Sequence, residues 1–201
     1  MIWWCKARAV PALAAVLAGT FAVGLLVGDG ELPVPALRGQ AGHFLLAHVI
    51  TLLPAVFLLY GLGRGDLRAE TVSARFLRGL DVGLALALAA VGTACGGLAH
   101  AAGQGVLAVV LARNIAGYLG LALLFHPLMG HRPAAAALAA VPLLCSAAGW
   151  YPDGHPRPWA WPLHPAGSPV ALAAVGLLLL AGTVCALARR RPPVVAQLLT
   201  G

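Results

Sequence analysis

The chain has 201 residues, of which 61% are hydrophobic and only 9% charged, with a formal net charge of +7 and a mean hydropathy of +0.90. Soluble domains average roughly 25% charged residues, and disorder requires low hydrophobicity, so the composition excludes both. Lipid is the natural solvent, and the positive charge is read against membrane topology rather than nucleic acid.

A spanning helix needs about 20 mainly apolar residues, and six such segments follow one another. The first is Ala9 to Gly28, preceded by Lys6 and Arg8 and too long in its apolar part for a signal peptide. The second is His43 to Gly63, with Pro54 as an internal kink of the kind neighbouring helices tolerate. The third is Leu80 to Ala102. A Gly103–Gly105 turn leads to the fourth, Val106 to Met129; the fifth is Pro133 to Tyr151 and the sixth Pro169 to Ala188. With the N-terminus inside, the inner segments hold Lys6, Arg8, Arg64, Arg68, Arg75, Arg78, Arg132, Arg189, Arg190 and Arg191, and the outer ones only Arg38 and Arg157. That asymmetry predicts an all-α polytopic membrane protein, residues 1–201 forming one transmembrane domain with both termini cytoplasmic. Small residues, among them Gly92 and Gly96 in the third span and Gly117 and Gly120 in the fourth, are expected to let helices pack closely.

The rare residues restrict the chemistry. Lys6 is the only lysine, so no nucleotide-binding loop of the G-x-x-x-x-G-K-[ST] kind exists on this chain. The acids Asp29, Glu31, Asp66, Glu70, Asp81 and Asp153 avoid the middle of every apolar run, which argues against a carboxylate proton relay. No G-x-S-x-G surrounds Ser73, Ser146 or Ser168. Cys5, Cys95, Cys145 and Cys185 lack metal-ligand spacing and read as small hydrophobes.

Three segments depart from plain lipid-soluble helix. In the inner loop, residues 63–79, Arg64, Arg68, Arg75 and Arg78 fall within roughly an 80° arc if the segment is helical. This predicts a basic surface helix, either resting on anionic headgroups or docking a cytoplasmic partner. The outer segment 150–169 carries six prolines with Trp150, Tyr151, Trp159 and Trp161. Proline forbids a regular helix there and tryptophan favours the interface, so the segment is expected to lie on the outer leaflet or dip back into it. In the fourth span stands Arg113 beside Asn114, the only asparagine. Arg113 lies on the order of 10 Å below the outer boundary, where an unpaired charge costs about 2.5–3.5 kcal/mol or more. Its partners are expected among carbonyls, water, Asn114, or Asp29 and Glu31; it either faces substrate or braces the bundle. His43, His48, His100 and His126 are candidate haem ligands or, alternatively, hydrogen-bonded interfacial histidines.

The layout resembles an ABC-2-type (type V-like) transporter permease. Residues 63–79 stand where such permeases carry a coupling helix, and 150–169 where they carry a re-entrant outer segment. The stretches ARNIAGYLGLALL, residues 112–124, and PWAWPLHPAG, residues 158–167, resemble small six-helix permease-like proteins of actinobacteria. One departure is the short N-terminal stub MIWWCKAR, where the family often has a longer amphipathic helix. The resemblance implies a non-enzymatic subunit in the bacterial cell membrane, partnered by a second permease chain and by a separate ATPase that holds ATP and Mg. No cofactor is implied on this chain. It implies coupling through Arg64, Arg68, Glu70, Arg75, Phe76 and Arg78, a substrate pathway including Arg113, Asn114 and Tyr118, an interfacial segment with Trp150, Tyr151, Trp159 and Trp161, and export of a hydrophobic or amphipathic small molecule, lipid or peptide. Spans one, two and five would face the partner permease. Competing readings are the substrate-binding membrane subunit of a vitamin-uptake ABC system, a haem-binding membrane redox protein, and a non-catalytic accessory or immunity protein.

Overall fold

The computed structural model describes residues 2–27, 31–32, 44–64 and 74–188. Helices dominate them. A short α1 (Ile2–Ala7) leads into α2 (Val10–Val27). A two-residue antiparallel pair, β1 (Glu31–Leu32) with β2 (Phe44–Leu45), precedes α3 (Leu46–Ile50) and α4 (Leu53–Gly63). Then come α5 (Ala74–Ala101), α6 (Leu107–Met129), α7 (His131–Ala148) and α8 (Pro169–Ala188).

Four helices are long and apolar enough to cross a membrane: Val10–Val27, Leu77–Ala101, Leu107–Met129 and Pro169–Ala188. The expected second and fifth spans are helical but fall outside that group. The apolar stretch His48–Gly63 is interrupted at residues 51–52 and measures roughly 24 Å at 1.5 Å per residue, short of a hydrocarbon core of about 30 Å. Pro54 does not kink it; the proline sits in the first turn of α4, where its missing N–H costs nothing. In α7, His131 and Arg132 open the helix and Pro133 and Pro142 lie within it, which lowers its apolar character.

Helix α6 is the pillar. Every residue from Leu111 to Leu123 is buried, as a helix apolar on all faces requires. Glycines bring its neighbours to backbone contact. A Cβ at Gly96 of α5 would meet the Ala112 Cβ at 2.5 Å, and one at Gly120 of α6 would meet the Leu178 backbone of α8 at 2.8 Å. Apolar burial gives little net drive between helices in lipid, so this close approach carries the packing. By contrast α8 turns Leu172, Leu177, Leu180, Val184 and Leu187 outward, a surface suited to acyl chains.

At one end of the bundle the helices are clamped by a buried ion pair. The chain breaks between α1 and α2 at Ala9, whose φ is 51°, and this turns Arg8 inward to 3% exposure. Its guanidinium grips Asp81 of α5 with both forks, Nε to Oδ1 at 2.8 Å and Nη2 to Oδ2 at 2.7 Å. Nη1 donates to the carbonyls of Gly61 and Leu62 at the end of α4, and the Trp4 indole donates to Asp81 Oδ1 at 3.2 Å. One side chain thus ties α1, α4 and α5 together. Sequence reading counted Arg8 only as a flanking cation and placed Asp81 at the edge of a span. Removing one member of a buried pair leaves the other uncompensated, at a cost of roughly 3–5 kcal/mol. Asp81→Asn is expected to lower thermal stability in detergent by about that amount. The double change Arg8→Met, Asp81→Leu is expected to recover most of it, as read by the denaturation midpoint.

Candidate functional site

The Pro- and Trp-rich stretch after α7 holds no α-helix, as its prolines require. Trp150 bridges to Pro156, Gly154 turns with φ of 83°, and Trp161–Leu163 form one turn of 3-10 helix. Irregular backbone leaves carbonyls without helical partners. Here Pro162, Leu163 and Ala160 are nevertheless buried, and such groups need donors.

The Leu163 N–H serves the Ala160 carbonyl, and Arg113 of α6 supplies donors to others. It is 4% exposed; Nη1 donates to the Pro165 carbonyl at 2.8 Å and Nη2 to the His164 carbonyl at 2.7 Å and the Pro162 carbonyl at 3.3 Å. Its Nε and Nη2 also lie 3.4 Å from Asn114 Oδ1. Of the partners open to Arg113 from sequence, carbonyls and Asn114 are the ones it takes; Asp29 lies outside the described residues. Below Arg113, the Trp161 ring packs edge-on against Tyr118, centroids 5.1 Å apart. Gly117 makes the space, since a Cβ there would lie 2.5 Å from the indole. The segment is locked a second way by His164. Its Nε2 contacts the Arg157 carbonyl at 3.1 Å, an acceptor only, so Nε2 carries the proton and Nδ1 accepts from the Ser168 hydroxyl at 3.2 Å. Ser168 also caps α8 by accepting from the Ala171 N–H.

The structure therefore brings Arg113, Asn114, Tyr118 and Trp161 into one closed cluster in which Asn114 Nδ2 and the Tyr118 hydroxyl have no hydrogen-bond partner among the described residues. Trp150 and Tyr151 lie apart, at the start of the segment, where the Arg157 guanidinium stacks 5.0 Å over the Tyr151 ring. Trp159 is exposed and, with Trp161, caps an apolar cleft of about 500 Å³ between α6, α7 and α8.

Of the expected basic helix over residues 63–79, only the two ends are described. Helix α4 ends at Gly63, where a Cβ would collide with the His131 ring at 2.7 Å, and Arg64 is its C-cap, stacked 5.6 Å over Tyr60. Arg75, Phe76 and Arg78 lie instead in the first turns of α5, which begins six residues earlier than the expected span because Ala-Arg-Phe-Leu-Arg are competent helix formers. Arg64 and Arg78 thus stand on separate helices; Arg68 and Glu70 lie outside the described residues. Of the candidate haem ligands, His43 lies outside the described residues, His48 is buried, His126 is in the last turn of α6, and His100 Nδ1 pairs with the Gly105 carbonyl at 2.9 Å. Comparison with known protein families, with characterised proteins and with solved structures found no match.

The geometry makes two expectations specific. Arg113→Leu orphans the carbonyls of Pro162 and His164, each worth roughly 1–3 kcal/mol, and is expected to cost at least about 2 kcal/mol of stability, with Arg113→Lys falling between. Gly117→Ala is expected to expel the Trp161 ring, seen as a red shift of tryptophan emission and loss of near-ultraviolet circular dichroism while helix content is kept.

Proposed function

We propose that the chain is the membrane-spanning permease subunit of an ATP-driven exporter, working in the bacterial cell membrane with a second permease chain and a separate ATPase. Its cargo is a hydrophobic or amphipathic molecule. The observation that carries the reading is the outer segment after α7, which folds back into the bundle and is held there by Arg113. A re-entrant segment between the fifth and sixth helices is the feature through which the sequence resembles ABC-2-type permeases. Six helices in the expected order support it, with α4 and α7 completing the six spans beside longer neighbours that cover their shortfall.

The placement of charge supports the orientation. Lys6, Arg8, Arg64, Arg78 and Arg132 gather where α4 and α6 end and α2, α5 and α7 begin, and Arg157 stands at the opposite end. Positive charge favours the cytoplasmic side, which puts both termini inside and the Trp-rich segment outside. The same end offers a mechanical route. Residues 65–73 join α4 to α5 in the chain, and both helices are bound to Arg8. A push on that connection by an ATPase reaches three helices through one clamp. At the far end Arg113 acts as a positioning residue for the outer segment, and the near absence of polar groups in the spans suits an apolar cargo over a sugar or an ion.

Purification of the chain from its native membrane is expected to bring an ATP-hydrolysing subunit with it. The double charge reversal Arg68→Glu, Arg75→Glu is expected to abolish that association while leaving the denaturation midpoint in place. Unchanged association and ATP turnover in the reversed variant would contradict the proposal.

A further inference from the structure

The cleft capped by Trp159 and Trp161 has a lining and a neighbourhood that select one kind of occupant. It opens between α7, through Val141 and Leu144, and α8, from Ala174 to Ala181. Those eight residues of α8 span on the order of 10 Å along the helix, about two-thirds of one leaflet's hydrocarbon depth. Its volume of about 500 Å³ lies within the roughly 300–1,000 Å³ of ordinary ligand sites. It is an open groove that shares Leu177 with the outward face of α8, and two indoles line it, of which Trp161 is fixed against Tyr118 and Gly117. An apolar chain of limited length fits such a shape, whereas a polar solute finds nothing in the lining to bond.

The cap also carries charge. Arg157 stands two residues before Trp159, and its carbonyl accepts from the Ala160 N–H, folding the two residues into one turn. Its guanidinium makes no hydrogen bond or ion pair among the described residues; Nε is buried without a partner, and the rest lies over the Tyr151 ring. The other charged groups of the segment are already engaged. Asp153 pairs with His155 at 3.5 Å, His164 bonds Ser168 and the Arg157 carbonyl, and Arg113 is committed to three carbonyls. One cation with donors to spare thus stands in the same turn as Trp159, which lines the apolar cleft, and tryptophans favour the membrane interface.

We infer that this is a binding site for an anionic phospholipid of the leaflet on the Trp-rich side, one acyl chain lying in the cleft between α7 and α8 and the phosphate meeting Arg157. The site requires only that the helices sit in a membrane and stands whether or not an ATPase drives the protein. A single guanidinium near a membrane surface is worth about a fivefold preference for an anionic over a zwitterionic headgroup.

The test uses the full chain with Trp3, Trp4 and Trp150 changed to Phe, in nanodiscs containing either phosphatidylglycerol or phosphatidylcholine brominated along its chains. Fluorescence of Trp159 and Trp161 is expected to be quenched saturably, with about fivefold less brominated phosphatidylglycerol than phosphatidylcholine needed for half effect. Arg157→Gln is expected to remove the headgroup preference and leave quenching by both lipids. Ala174→Phe, which fills the cleft, is expected to remove the saturable component at an unchanged denaturation midpoint; should that variant unfold, the Arg157→Gln comparison decides. Quenching that rises linearly with brominated lipid and equally for both headgroups describes ordinary boundary lipid and overturns the inference. Absence of quenching, which would place a protein chain such as a second copy in the cleft, overturns it as well.

Discussion

A backbone carbonyl packed inside a bundle needs a donor, and in the proline-rich segment between α7 and α8 the carbonyls of Pro162 and His164 take theirs from Arg113. That constraint organises half of this molecule. Prolines remove the helical ladder, so the carbonyls of Pro162 and His164 lack a backbone donor, and Arg113 reaches them and Pro165 from a neighbouring helix as a planar fork. The charge that would cost several kcal/mol alone in lipid is spread over three carbonyl dipoles and an amide oxygen. Each side of the contact resolves the other's difficulty: the arginine makes the irregular segment tolerable at depth, and the segment makes the arginine tolerable in a span. The Trp161 ring, the Gly117 gap and the cleft beneath Trp159 are all placed by this one anchorage.

The opposite end uses the same device with a different partner. Arg8 meets a true carboxylate, Asp81, and adds the two last carbonyls of α4. Between the two arginine clusters stands α6, buried on every face through its middle, against which α5 and α8 approach through Gly96 and Gly120. The bundle is thus a central pillar with polar fastenings near its two ends and small-residue contacts between. In a medium that gives apolar surfaces little reason to associate, this division of labour is what specificity requires.

The sequence announced some of this plainly. An arginine inside an apolar run is conspicuous, and Arg113 drew notice for that reason; its acceptors did not, because a carbonyl has no side-chain signature and lies some fifty residues away. Six prolines in residues 150–169 made the irregular segment legible, yet nothing in them told how deep it lies. Arg8 was hidden in plain view, since a basic residue before a span satisfies the positive-inside pattern without any partner, and Asp81 sits where a helix boundary makes an acid look ordinary. The expected basic helix over residues 63–79 lies mostly outside the described residues; its flanks are the end of α4 at Gly63, against the His131 ring, and the start of α5 at Ala74. The cleft was not legible at all, as its walls are common alanines, leucines and valines from three helices and only their arrangement distinguishes them.

The packing of the Trp-rich segment into the bundle, rather than on its surface, shows most directly in how deep residue 163 sits. In a background with the four native cysteines replaced by alanine, single cysteines at Asp153 and Leu163 can be challenged from the Trp-rich side with a membrane-impermeant maleimide. Exposed Asp153→Cys is predicted to react quickly, buried Leu163→Cys to stay protected, and Arg113→Leu in the same chain to release that protection. Equal, fast labelling at both positions with Arg113 intact would contradict the account.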